Sequence, residues 1–148
     1  DVIFPGKYTY TLTDPKEMAA VALEDLDEKF AEEVQQNDII AGGKNFGCGS
    51  SREQAASCLK FAGVGAVIAK SFSRIYFRNC INFGLPALTS AKAVDAIENG
   101  ETITIDMDEG TIECKAGTFN FPPLPEAVVS IFEDGGLIPH TKKMLGTL

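Results

Sequence analysis

Residues 42–54 read GGKNFGCGSSREQ, four glycines and an arginine around two adjacent serines and a cysteine. The stretch stands between two patterns. Before it, NDIIAGG (37–43) is a short apolar run that ends in glycines, the mark of a strand. After it, REQAASCLKF (52–61) is rich in helix formers. A strand, a glycine turn and a helix start make an α/β junction, and ligands of open α/β sheets gather at that end of a strand. Backbone N–H groups at a helix start attract anions, and the helix dipole adds to the attraction. Gly47 and Gly49 suit positive φ and close backbone approach. Ser50 and Ser51 add hydroxyls, and Arg52 adds a fork shaped for carboxylate or phosphate. Two readings stand at this point: an anion site at a helix N-terminus, or a tight turn with a serine N-cap.

Known loops of similar look do not fit. No G-x-x-x-x-G-K-[ST] is present, Arg52 stands where G-x-G-x-x-G needs its third glycine, and the order Gly49-Ser50-Ser51-Arg52 is not G-x-S-x-G. A Ser-His-Asp triad would have to recruit His140, the only histidine, from what reads as a surface tail.

Outward from the loop, VGAVIAKS (64–71) is a buried strand by its Val and Ile content, and FSRIYFRNCINFG (72–84) a helix that stops at Gly84. LPALT (85–89) is a short strand and AKAVDAIENG (91–100) a short helix. ETITIDMDEGTIECKAGTF (101–119) alternates in period two about Asp108-Glu109-Gly110, a hairpin. PEAVVSIFEDGGLIPHTKK (125–143) reads as a last short helix and a tail. Upstream, DVIFPGKYTYTLTDP (1–15) is a short strand, a Pro-Gly turn and a polar-aromatic loop. Thr13 or Asp14 caps the next helix, Pro15 takes its first position, and Glu17 closes a capping box with Asp14. Met18, Ala22, Leu26 and Phe30, four apart, predict one amphipathic helix over residues 16–33. Alternating strands and helices followed by a hairpin predict a single α/β layered domain with a mixed sheet over residues 1–148.

Composition limits the function. With 148 residues and 45% hydrophobic content the chain can build one core. A net charge of −8 argues against broad binding to nucleic acid or an anionic membrane, while leaving room for a local basic pocket. No apolar run reaches membrane-span length and no signal-peptide pattern is visible. The start at Asp1 rather than Met suggests a preceding segment that is missing or cleaved. Cys48, Cys58, Cys80 and Cys114 form no C-x-x-C and have no histidine at ligand spacing. They read as free thiols in a reducing cytoplasm. Lys70, Arg74 and Arg78 either reach the anion site or a partner, or form a solvated face with Tyr76 and Phe77 packed inward.

GKNFGCGSSREQAA (43–56) and GVGAVIAKSFSRIYFRNCINFGLPAL (63–88) closely resemble the family of 3-isopropylmalate dehydratase and homoaconitase small subunits and the swivelling C-terminal domain of aconitase. DVIFPGKY (1–8), LTDP (12–15) and DGGLI (134–138) fall where that family has its N-terminal motif, its specificity loop and its tail. The resemblance implies a swivelling β/β/α domain laid over the active site of a separate large subunit. That partner would hold a [4Fe-4S] cluster through three cysteines, and its open iron would bind the substrate hydroxyl and a carboxylate. No cofactor or metal would be bound by this chain, and one cysteine, Cys48, cannot hold a cubane. The reaction implied is reversible dehydration and rehydration of a hydroxy-dicarboxylic acid.

By position in the motif, Ser50 would be the general base, and Ser51 and Arg52 would bind a substrate carboxylate. Asp1 falls on the family's acidic residue near the site, and Gly49 lies beside the serine. A serine works as a base only where its alkoxide is stabilised, and N–H groups, a helix start and Arg52 are the means at hand. Family members acting on substrates with an extra carboxylated arm carry an arginine in the specificity loop. YTYTLTDP (8–15) has none. Tyr10, Thr11 and Leu12 would instead accept a branched alkyl group. Isopropylmalate is therefore favoured, with dimethylmalate or a homoaconitase substrate as the alternative and a non-catalytic dicarboxylate-binding module as a second.

Overall fold

The computed structural model describes residues 2–50 and 52–146. Three parallel strands, β1 (Ile39–Gly42), β2 (Ala66–Ala69) and β3 (Ala87–Thr89), form the first sheet in that order, with Ile40 beside Val67 and Ile68 beside Leu88. All four residues of β2 are buried, as a strand covered on both faces requires. Side chains alternate across it. Val67 joins a core with residues of helices α1 (Pro15–Ala20), α3 (Gln54–Phe61) and α4 (Arg74–Phe83), while Ile68 and Leu88 face a second core.

That second core is closed by Ala93 of α5 (Ala91–Ala96) and by Ile112 and Phe121. Ile112 lies on an antiparallel sheet of β4 (Thr104–Asp106), β5 (Thr111–Cys114) and β6 (Gly117–Asn120). The α/β class stands, but parallel and antiparallel pairings occupy separate three-stranded sheets among the described residues, and the two meet through side chains. The predicted hairpin is β4–β5. A second tight turn at Lys115-Ala116 adds β6 to it.

Two upstream expectations change. The helix expected over residues 16–33 ends at Ala20, and only α2 (Phe30–Glu33) resumes it. Leu23 adopts φ 57, and its N–H donates to the Ile3 carbonyl at 2.8 Å, a tertiary bond that no continuous helix could make. Leu26, expected on the buried face, is exposed. Of the two expected caps it is Asp14 that accepts from the N–H groups of Lys16 and Glu17, with Pro15 at the first helical position, and among the described residues no return bond from the Glu17 side chain closes a capping box. The opening segment forms no strand among the described residues. Ile3, Phe4 and Pro5 are nonetheless buried.

The C-terminal tail is a helix. After α6 (Glu126–Glu133), Gly135 and Gly136 turn the chain into α7 (Leu137–Met144). A Cβ on Gly84, the left-handed stop of α4, would lie 2.4 Å from the Gly135 carbonyl carbon, so glycine permits this backbone crossing. Asp134 accepts from His140 Nδ1 at 2.7 Å and from Lys143 Nζ at 2.6 Å, which ties the end of α6 to α7. His140 is thus a half-buried part of this clasp. Among the described residues no helix is long and apolar enough to cross a membrane.

Candidate functional site

The glycine loop leaves β1 and is held by the segment that leaves β2. Lys70 N–H donates to the carbonyls of Gly42 and Gly43, and Asn45 N–H to Ser71 Oγ at 2.8 Å. Phe46 N–H donates to the Ser71 carbonyl and Ser73 N–H to the Phe46 carbonyl, both at 2.9 Å, so parallel pairing resumes past the glycines. Ser73 Oγ donates to the Gly47 carbonyl at 2.9 Å and also accepts from Tyr76 N–H as the N-cap of α4. Phe46 packs edge-on against Phe72 and Tyr76.

Gly47 and Gly49 have φ of 78° and 128°, the positive values expected of them. At Gly47 the close approach is to the protein itself, since a Cβ there would lie 2.0 Å from Tyr76 Cγ. The N-cap of α3 is Glu53, in helical conformation and without a side-chain capping bond of its own.

Ser50 and Arg52 line one cavity of about 240 Å³, together with Cys48 and Asn79. Its lining also includes the apolar Val2, Leu23 and Leu26. Arg52 Nη1 donates to Thr9 Oγ1, and Gln54 Nε2 reaches the Thr9 carbonyl at 3.5 Å. The polar-aromatic loop therefore lies against the glycine loop. Its expected substrate-facing residues are spread apart. Tyr10 is 96% exposed, Thr11 is exposed with its hydroxyl on the Tyr8 carbonyl, and Leu12 packs on the first core. None of the three is among the described lining of the cavity. Asp1 and Ser51 lie outside the described residues.

Lys7 Nζ donates to Glu24 Oε1 at 2.6 Å, and Tyr8 Oη lies 3.2 Å from both Glu24 oxygens. Donation from Lys7 holds the Glu24 carboxyl below its ordinary value and raises Lys7 to about 12. Arg74 and Arg78 on α4 are exposed, while Lys70, just after β2, pairs with Asp95.

Can this chain hold a metal or cluster? Among the described residues no group of three His, Cys, Asp or Glu side chains is placed to do so. Cys58 and Cys80 are fully buried, and burial pushes both thiols up to about 12, which favours the neutral thiol over the thiolate a metal needs. Cys114 lies on the antiparallel sheet and Cys48 is exposed in the loop. The thiols present do not fit a cluster.

Sequence reasoning missed several parts of this site. Thr9 binds an arginine 43 residues away. Ser71 and Ser73 position the loop, and only the helix-capping role of Ser73 leaves a trace in the sequence. Val2, Leu23 and Leu26 converge from two segments that local periodicity does not connect.

Residues 3–93 match the model of the aconitase C-terminal domain family, more than half of the chain. The chain is 46% identical over 145 residues to a 3-isopropylmalate dehydratase small subunit of Caldanaerobacter subterraneus, covering 97% of this chain and 89% of that one. Identity is 49% over 144 residues to the small subunit of the same enzyme in Caldicellulosiruptor bescii, covering 96% and 86%. The crystal structure of 3-isopropylmalate dehydratase from Methanocaldococcus jannaschii superposes with a TM-score of 0.90 at 41% identity, covering 98% of this chain and 86% of that one. The chain belongs to the family of 3-isopropylmalate dehydratase small subunits, built on the aconitase C-terminal domain.

Proposed function

We propose that this chain is the small subunit of a hydro-lyase that interconverts 2-isopropylmalate and 3-isopropylmalate by dehydration and rehydration, a step of leucine biosynthesis in the cytoplasm. The observation that carries the reading is the placing of Ser50 and Arg52 on one cavity, in a chain of this family. Ser50 removes the proton from the substrate carbon and returns it on rehydration. Arg52 and Ser51 hold a substrate carboxylate, and Asp1 and Gly49 are further candidates for the site. A serine alkoxide is costly at neutral pH, and the positive end of α3 and the Arg52 guanidinium are the stabilising charges this chain offers. The loop of Tyr10, Thr11 and Leu12 borders the cavity through the Thr9–Arg52 contact without lining it. Its lack of arginine disfavours a third carboxylate there.

The cavity is open on this chain, so water is excluded only when a partner covers it. That partner is a large subunit carrying the [4Fe-4S] cluster, in keeping with thiols here that do not fit one.

The test mixes the full chain with a cluster-loaded large subunit and follows dehydration of 3-isopropylmalate. Ser50→Ala is expected to lower kcat by about a thousandfold, the usual scale for loss of a general base, with subunit association unchanged. Full activity of that variant would remove Ser50 from the base role.

A further inference from the structure

The apolar side of the cavity is unusual for its exposure. Val2 is 51% and Leu26 70% exposed, beside an arginine and a serine. Large apolar side chains left open next to a polar site mark a binding surface more often than an accident of packing. Leu26 is also held in place. Leu23, at φ 57, receives at its carbonyl the N–H groups of Leu26 and Asp27, each at 2.8 Å, while its own N–H is bound to the Ile3 carbonyl. A leucine in left-handed conformation is costly, so such an outlier beside a site invites a functional reading. Here the turn ties residues 23–27 to the N-terminal segment and so sets Val2 and Leu26 on the same cavity. Among the described lining residues the cation is Arg52.

We infer that Val2, Leu23 and Leu26 form the wall that receives the branched alkyl arm of the substrate and so determine its selectivity, a role distinct from that of the Tyr10–Leu12 loop. This rests on the proposed function. A substrate seated with a carboxylate at Arg52 lays its alkyl arm on this wall, where a carboxylated arm would lose its water without gaining a cation.

The test uses the full chain reconstituted with its cluster-loaded large subunit. Dehydration is measured on 3-isopropylmalate, on 3-methylmalate and on a malate with a carboxyethyl arm. Leu26→Ala and Val2→Ala are each expected to lower kcat/KM for 3-isopropylmalate about tenfold, chiefly through KM, and for 3-methylmalate about twofold. Leu26→Lys is expected to raise the ratio of carboxyethyl substrate to 3-isopropylmalate at least about tenfold. Leu26 is exposed, so its variants should melt as the parent does. Parallel loss on all substrates, with weaker subunit association, would assign the wall to the subunit interface and overturn the inference. Unchanged ratios would overturn it as well while leaving the hydro-lyase reading intact. A parent complex that dehydrates none of these acids would fail that reading, and the inference with it.

Discussion

Two loops meet at Arg52 beside the cavity, and they are held in different ways. The glycine loop after β1 is bound through its backbone. Phe46 pairs with Ser71 and Ser73, Gly47 accepts from Ser73, and Asn45 donates to Ser71. Among the described residues, the loop after Pro5 makes backbone–backbone bonds that are all local, such as Tyr8 to Pro5 and Leu12 to Tyr8, around a 3₁₀ turn at Gly6–Tyr8. Its hydrogen bonds to the rest of the chain, again among the described residues, use side chains: Arg52 and Gln54 to Thr9, and Lys7 and Tyr8 to Glu24. Backbone pairing fixes an atom to within narrow limits, as a proton-transferring serine needs. Side-chain ties can be exchanged without disturbing the fold, which suits a surface that varies with the substrate.

The first way to break this contrast is at Gly47. Alanine there would carry φ 78 and set its Cβ 2.0 Å from the buried ring of Tyr76. Left-handed backbone and overpacking together should cost about 3 kcal/mol, a fall in Tm of roughly 10 °C, and activity should fall with it. Gly43→Ala is the control, because nothing lies within 4 Å of its Cβ. It should change stability by less than about 0.5 kcal/mol. Equal melting of the two variants would show that the glycine loop is not pinned as described.

A smaller and more selective effect is expected from the other loop. Thr9→Val removes the hydroxyl that accepts from Arg52. KM for the hydroxy acid should rise about fivefold with kcat little changed, a loss of roughly 1 kcal/mol, and Thr9→Ser should restore it. A fall in kcat alone would mean that Thr9 does not act through carboxylate binding.

The two loops also differ in how far sequence reveals them. The glycine loop is legible because its signals are local: an apolar strand, glycines where φ is positive, and a helix start at Gln54. The fully buried β2 and the β4–β5 hairpin are legible for the same reason. The misread elements were decided by distant partners. Met18, Ala22, Leu26 and Phe30 keep helical spacing, yet the bond from Leu23 to Ile3 breaks the helix between them. The helix α7 hides behind Gly135, Gly136 and Pro139, all of which look like terminators. Pro139 falls in the first turn, where its missing N–H costs little. The cavity wall is the extreme case, since no window of local sequence contains both Val2 and Leu26.

The smallest expected effect sharpens the contrast through pH. Lys7 and Glu24 join the side-chain-held loop to the turn that carries Leu26. Glu24 has a lowered folded value because Lys7 donates to it, so its contribution is present above the ordinary value of 4.5 and is lost as pH falls through the lower folded one. Lys7 has a raised folded value, so its share is full below 10.5 and is lost as pH rises through about 12. Both groups are solvent-accessible, so the tie should weaken with salt as well. The protection of amides 6–12, relative to their intrinsic exchange rate at each pH, should therefore fall below about pH 4.5 and in high salt, while Phe46 and Ser73, bound through the backbone, should keep theirs. Glu24→Gln should bring the faster exchange to neutral pH. If both loops instead loosen together over the acid range, the side-chain tie is not what holds the second one.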